Sequence, residues 1–336
     1  MLTIGLLGAG RIGQVHARAI ASNANSRLAA ISDVHAPAAE ALAATCGAEV
    51  RSSEQIIADP AIDAVLIATP TDTHSPLIEA ATAAGKAVLC EKPVDLSLDR
   101  ALACKAAADS TGRPVMVGFN RRFDPSFAAA KAAFDAGEIG KGELLSITSF
   151  DPAPPPLAYI GVSGGLFRDM AIHDFDMASW IMGGVPETVT ATASSLVDPA
   201  IGEAGDVDTA VIVLRYADGR ICVIRNSRRA AYGYDQRLEY LGSEGMLSVE
   251  NVLENTVRKS TGTGVESAKP EFFFLQRYMR AYEIEWAAFV AAVEGGTPMP
   301  ATLQDGINAL AIAEAATLSA KTGTPVAVTP EMLGQG

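Results

Sequence analysis

One turn near the amino terminus limits the possible architecture more than any other feature. Thr3-Ile4-Gly5-Leu6-Leu7 reads as a short apolar strand, and Gly8-Ala9-Gly10-Arg11-Ile12-Gly13 follows at once. An alanine-rich helical pattern then runs from Gln14 to about Ala21. Three glycines at this spacing, between a strand and a helix, suit a dinucleotide pyrophosphate. The first permits a tight turn, the second lets the backbone approach the phosphates, and the third allows close helix–strand packing. The phosphates would rest on free N–H groups at the helix start. A second strand, Leu28 to Ser32, ends at Asp33, twenty residues beyond Gly13. A carboxylate there accepts hydrogen bonds from the adenosine ribose and repels a 2′-phosphate. The pattern predicts NAD rather than NADP, held by Gly8, Gly10, Arg11, Ile12, Gly13, Asp33 and the adjoining Val34.

The same rhythm continues. Ala64 to Ala68 is an apolar strand ending in Thr69-Pro70-Thr71-Asp72-Thr73-His74, and a helix from Pro76 to Ala84 stops at Gly85. Ala87 to Cys90 is a strand ending in Glu91-Lys92-Pro93; a helix at about Ser97 to Ser110 and a strand from Val115 to Phe119 follow. Alternating units with wholly apolar strands predict an α/β domain over residues 1–120, a doubly wound parallel sheet of Rossmann type. Ligands bind outside the carboxyl ends of such strands. Thr69, Pro70, Thr71, His74, Glu91, Lys92, Asn120 and Arg121 all fall there. Proline confines Lys92 to extended backbone, which aims its ammonium, and the Lys92–Pro93 bond is a candidate for the cis form. A partly desolvated ammonium beside a substrate hydroxyl eases alkoxide formation during hydride transfer. His74 fits either a cofactor contact or a satisfied loop histidine. His16 and His35 read as incidental or cofactor-adjacent. The fourth histidine, His173, is then the best general base.

Residues 121–330 read as a second, α+β domain for substrate binding and oligomerisation. Arg121-Arg122-Phe123-Asp124-Pro125 opens a helix to about Ala136, and Glu143 to Phe150 is a strand. The segment Pro152 to Ser163, with Pro154-Pro155-Pro156, reads as an irregular rim. From Gly164-Gly165 an amphipathic run continues without a breaker to Met182, which predicts one helix. Asp169 and His173 would then stand at i and i+4 on one face, with Asp176 following. A carboxylate one turn before a histidine fixes its tautomer and raises its basicity. Beyond Gly183-Gly184 the pattern alternates at Thr188 to Leu196, Thr209 to Tyr216, Ile221 to Ser227, Arg237 to Leu241 and Met246 to Val249. Hairpin turns at Ala217–Arg220 and Gly242–Gly245 make this a large, mainly antiparallel open-faced sheet. Its Val211, Val213, Ile221 and Val223 face is covered either by a second subunit or by the domain's own helices. Two helices, about Phe274 to Glu294 and Thr302 to Lys321, finish the chain.

The length of 336 residues suits two domains, and a net charge of −13 argues against nucleic acid or an anionic membrane as partner. Four cysteines (Cys46, Cys90, Cys104 and Cys222) lie far apart, which fits a reducing cytoplasm and buried thiols and predicts no metal. Met1-Leu2-Thr3-Ile4 has no basic region before its strand, so no signal peptide is expected.

Together the motifs resemble the Gfo/Idh/MocA oxidoreductase family and, within it, the bacterial inositol 2-dehydrogenases. The resemblance spans essentially the full length. It rests on Gly8–Gly13, Ala68–His74, Glu91-Lys92-Pro93, Gly118–Asp124, Gly164–Asp174 and Ser227–Gln236. It implies NAD-dependent oxidation of a cyclic polyol hydroxyl to a ketone, with myo-inositol giving 2-keto-myo-inositol. Scyllo-inositol or an aldose sugar is the alternative substrate, and a non-catalytic NAD-binding regulator the alternative from another class. Lys92, Asp169 and His173 would form the catalytic set and meet beside the nicotinamide, with Glu91 setting the Lys92 region. Arg121, Asp151 and Tyr234 would hold substrate hydroxyls. Asn120 stands where some inositol enzymes carry methionine, a departure that bears on the polyol and not on the chemistry. A homo-oligomer, tetramer or dimer, is expected through the C-terminal sheet.

Overall fold

The computed structural model describes residues 1–335. They divide into two compact units, Met1–Phe123 with Met279–Leu310, and Asp124–Tyr278 with Ala311–Gln335.

In the first unit, β1 (Leu2–Leu7), β2 (Ser26–Ser32), β3 (Glu49–Val50), β4 (Ala64–Ile67), β5 (Ala87–Glu91) and β6 (Val115–Gly118) form one sheet. The order β3-β2-β1-β4-β5-β6 reverses direction between β1 and β4, and every pairing is parallel. Val65, Leu66, Ile67, Val88 and Leu89 are wholly buried, as strands covered on both faces require. Helices follow each strand, so the strand carboxyl ends and the helix amino ends open on the same edge.

The helix Met279–Gly295 belongs to this unit, although the linear order placed it with the second half of the chain. Trp286 is buried and its Nε1–H donates to Ser26 Oγ at 2.9 Å, while the Tyr282 ring meets the edge of His16 at 5.3 Å. Burying each such apolar side chain contributes roughly 1.5–3 kcal/mol. Helical periodicity says that one face is buried; it does not say against what.

The second unit is built on β7 (Gly142–Phe150), β8 (Thr188–Ser194), β9 (Thr209–Arg215), β10 (Ile221–Ser227), β11 (Asp235–Gly242) and β12 (Met246–Val249). β13 (Arg258–Thr261) and β14 (Gly264–Ser267) form a separate exposed hairpin, and β15 (Val326–Ala327) joins the large sheet at its edge. The order is β12-β11-β7-β10-β9-β8-β15, antiparallel throughout except for β7 with β10. Along β9, Ala210, Ile212 and Leu214 are buried while Val211 on the other face is 46% exposed. Ile221 shares that open face at 40% exposure. The domain's own helices therefore do not cover it.

Three local expectations change. The run from Gly164 to Met182 is two helices, Gly165–Asp169 and Ile172–Met182. Leu166 O accepts from both Met170 N–H and Ala171 N–H, which ends the first helix, and Ala171 O accepts from Phe175 N–H to begin the next. Asp169 and His173 thus lie on either side of a helix boundary. The Pro152–Ser163 rim contains a helix, Leu157–Ser163, started by Pro156. The helix expected from Phe274 to Glu294 is interrupted at Tyr278, whose φ of −115° and ψ of 8° leave the helical region. No helix among the described residues is long and apolar enough to cross a membrane.

Candidate active site

In the first unit the glycine turn has the geometry its spacing implies. Gly8 has φ +102°, and a Cβ there would stand 2.4 Å from Ala68 O. A Cβ on Gly13 would stand 2.1 Å from Gly8 O, so the third glycine lets the helix sit against the turn. At Gly10, by contrast, no heavy atom of the described residues other than its chain neighbours lies within 4 Å of an added Cβ. Gly10 caps the helix Arg11–Ala21 without a side-chain hydrogen bond, and no acidic residue occupies the first turn. A helix amino terminus with room beside Gly10 and no acidic residue in its own first turn suits a bound pyrophosphate.

Asp33 follows β2 directly. Its Oδ2 accepts from Ala9 N–H at 2.6 Å and its Oδ1 from His35 N–H at 2.7 Å. The carboxylate is therefore fixed beside the glycine turn. Arg11 and Val34 are exposed and Ile12 is half-buried around the same turn. Past β4, Thr69 and Thr71 are half-buried and Pro70 exposed, with Thr69 Oγ1 2.6 Å from Thr73 Oγ1. His74 is buried; its Nδ1 lies 2.7 Å from Pro93 O and its Nε2 2.9 Å from Thr69 O. The two ring nitrogens thus link the Thr69 and Pro93 loops. The Lys92–Pro93 bond is cis.

Lys92 is half-buried and immediately follows Glu91, which is buried against His16. His16 Nε2 is 2.6 Å from Glu91 Oε1, and Lys92 N–H donates to Glu91 Oε2 at 3.3 Å. Burial works against charge on Glu91, but the hydrogen bond and charge of His16, then Lys92 and His74, hold its carboxyl below the usual range. Glu285, on the helix Met279–Gly295, is fully buried, and among the described residues neither of its oxygens has a hydrogen-bond partner. Burial, followed by the charge of Glu91, pushes its carboxyl well above the usual range. After β6, Asn120 and Arg121 are buried in a turn of 3-10 helix; Arg122 bonds Asp305 at 3.0 Å.

In the second unit, Asp169 Oδ1 accepts from Tyr159 Oη–H at 2.9 Å, and its Oδ2 lies 3.4 Å from both Nη1 and Nη2 of Arg228. His173 is half-buried at the start of the next helix, and Asp176 on that helix is buried. Asp151 follows β7, its N–H donating to Ser227 O at 2.9 Å. Tyr234 is buried among aromatic rings, 6.0 Å from Phe273 and 5.9 Å from Tyr278 between centroids.

Sequence reasoning gave no role to Tyr159, Arg228 or Glu285 and took His16 as incidental or cofactor-adjacent. Glu285 had a signal: Tyr282, Glu285, Trp286 and Phe289 stand on one helical stripe, so a carboxylate sits in an apolar face. Arg228 lay within the Ser227–Gln236 stretch that carries the resemblance, but its contact with Asp169, like that of Tyr159, joins residues 59 and 10 positions apart and leaves no local mark.

Residues 2–119 match the oxidoreductase family with an NAD-binding Rossmann fold, and residues 127–248 match the GFO/IDH/MocA C-terminal domain. The chain is 51% identical over 315 residues to an inositol 2-dehydrogenase of Rhizobium meliloti (strain 1021), covering 94% of this chain and 96% of that one. A myo-inositol dehydrogenase from Corynebacterium glutamicum superposes with a TM-score of 0.94 at 44% identity, covering 98% and 99% of the two chains. A scyllo-inositol dehydrogenase from Lactobacillus casei, solved with NAD(H) and scyllo-inositol, superposes with a TM-score of 0.91 at 30% identity, covering 98% of this chain and 99% of that one. With both halves matched and the relatives spanned almost end to end, the chain belongs to the Gfo/Idh/MocA family of NAD-binding oxidoreductases.

Proposed function

We propose that this protein oxidises a ring hydroxyl of a cyclic polyol to a ketone, with myo-inositol as substrate and 2-keto-myo-inositol as product. The observation that carries this is the 51% identity to an inositol 2-dehydrogenase across nearly all of both chains, nucleotide half and substrate half alike. NAD, when bound, supplies the hydride acceptor. In this reading His173 takes the hydroxyl proton and Asp169 orients its imidazole. Lys92 donates a hydrogen bond to the same oxygen and stabilises the developing alkoxide. Arg121, Asp151 and Tyr234 contribute to holding the remaining hydroxyls. The carbon loses hydride and the oxygen loses a proton, so one CH–OH becomes one C=O.

The test is NADH formation with myo-inositol, scyllo-inositol and glucose side by side. Fastest turnover of myo-inositol, by kcat/KM, is expected. Preference for either of the others would move the substrate and leave the chemistry. No NADH from a wider polyol and sugar panel, with NAD still bound, would reduce the protein to an NAD-binding regulator.

We assign the open sheet face to a contact between copies of this chain, in a dimer or tetramer. Val211 and Ile221 are exposed there beside Leu144 and Leu241, and self-association would bury them. Sedimentation of the wild type and of Val211→Asp should show the variant dissociating; a monomeric wild type would remove the assignment.

A further inference from the structure

We propose that Arg228 and Tyr159 are positioning residues, which together fix the carboxylate of Asp169 in the orientation that serves His173. The proposal rests on the reading above, in which His173 accepts the proton. It assigns work to two side chains that the reading leaves idle.

Arg228 follows β10 and is 1% exposed. Its backbone N–H donates to Asp208 O at 2.8 Å, so the side chain starts from a fixed point. The guanidinium then lies between two carboxylates. Asp169 Oδ2 is 3.4 Å from Nη1 and from Nη2, and Asp206 Oδ2 is 3.8 Å from Nη2. Asp206 in turn accepts Leu166 N–H on Oδ1 at 2.9 Å. One carboxylate therefore pins the start of the helix Gly165–Asp169, the other is its last residue, and the same cation faces both. Gly165 allows this closeness: its φ is +82°, and a Cβ would stand 2.6 Å from Asp206 Oδ1.

Tyr159 approaches from the helix Leu157–Ser163 and takes the other oxygen, donating to Asp169 Oδ1 at 2.9 Å. Contacts on both oxygens, from two separate elements, restrain the plane of the carboxylate. That restraint matters because a helix boundary, and not one continuous helix, separates Asp169 from His173. A planar fork that reaches two carboxylates at once is a task for arginine and not lysine. Misplacing a catalytic group by an ångström costs up to about a hundredfold in rate.

The test compares Arg228→Met and Tyr159→Phe with wild type, alongside Asp169→Asn and His173→Ala. Each protein is titrated for NAD binding so that rates refer to competent sites. Arg228→Met is expected to lower kcat about 10- to 100-fold, with KM for the polyol and NAD affinity little changed. The deuterium isotope effect from polyol labelled at the reacting carbon should rise, because the chemical step becomes slower than product release. Arg228→Lys should recover only part of the loss. A purely structural arginine would lower the competent fraction and leave the isotope effect at its wild-type value, which would overturn the proposal. If Arg228→Met does not fold, Tyr159→Phe decides: a severalfold fall in kcat with the same isotope signature supports the proposal, and unchanged kcat overturns it. Full activity in His173→Ala and Asp169→Asn would instead sink the underlying reading. Loss of activity in those two with no effect at Arg228 or Tyr159 would sink this inference alone.

Discussion

His16 Nε2 lies 2.6 Å from Glu91 Oε1 in a buried part of the first unit, and the residue after Glu91 is Lys92. The contact with His16 helps a carboxylate stay charged away from water. Lys92 N–H hydrogen-bonds the same carboxylate, so the pair also sets the backbone from which the lysine projects. Replacing His16 by alanine leaves Glu91 buried without its closest partner. The cost expected is about 1–3 kcal/mol, and more to the extent that the charge persists. Urea denaturation of His16→Ala would measure it, and an unchanged midpoint would mean that the pair contributes nothing net.

Glu285 has the opposite electrostatics, and this gives a pH signature. Its folded carboxyl titrates well above the ordinary 4.5 because of burial and the charge of Glu91. A raised group stabilises fully below its unfolded value, and that stability is lost as pH rises toward the folded value. Glu285→Gln cannot lose a proton, so its stability relative to wild type should improve as pH climbs above about 4.5. The slope is limited to about 1.4 kcal/mol per pH unit. Parallel urea midpoints for the two proteins across that range would exclude a neutral buried Glu285.

The glycine turn separates fold from function. Gly8→Ala forces a Cβ into Ala68 O and an unfavourable φ, so it should both destabilise the protein and abolish NAD binding. Gly10→Ala meets no protein atom, so the melting temperature should stay near wild type while NAD affinity falls. Calorimetric titration with NAD and thermal melts on the two variants test this. Equal affinity in Gly10→Ala and wild type would place the pyrophosphate elsewhere.

His173→Ala should lower turnover by about 10²–10⁴-fold with NAD affinity retained. Lys92→Met should also lower kcat, through loss of the hydrogen bond to the developing alkoxide. Single-turnover rates at saturating NAD and polyol separate chemistry from binding. A His173→Ala rate near wild type would remove it as the base.

Asp33→Ser removes the charge expected to repel a 2′-phosphate, so the ratio of kcat/KM for NADP to that for NAD should rise. It also removes the acceptor of Ala9 N–H, so NAD affinity should fall as well. An unchanged ratio would show that another group discriminates between the two dinucleotides.

The parallel sheet was legible because Ala64–Ala68 and Ala87–Cys90 are uninterrupted apolar runs at strand length, separated by helical ones. The second sheet was legible from alternation, and β12 has the Met246–Val249 bounds that the pattern implies. The break between Asp169 and His173 was not legible. Met170 and Ala171 are ordinary helix formers, and the helix ends there because Leu166 O takes two N–H groups in a particular tertiary setting.

The chain's periodicities and its glycine spacing determined by themselves that it winds a nucleotide-binding sheet and then a mainly antiparallel one, because hydrophobic period and backbone permission are local properties. Only the tertiary structure decided which acids keep their charge. Glu91 and Glu285 are both glutamates within buried segments, yet one faces His16 and the other has no hydrogen-bond partner among the described residues. Likewise Asp169 meets Arg228 only after the chain has folded back across 59 residues. The free energy of a buried charge depends on what surrounds it in space, and that is not written in its neighbours along the chain.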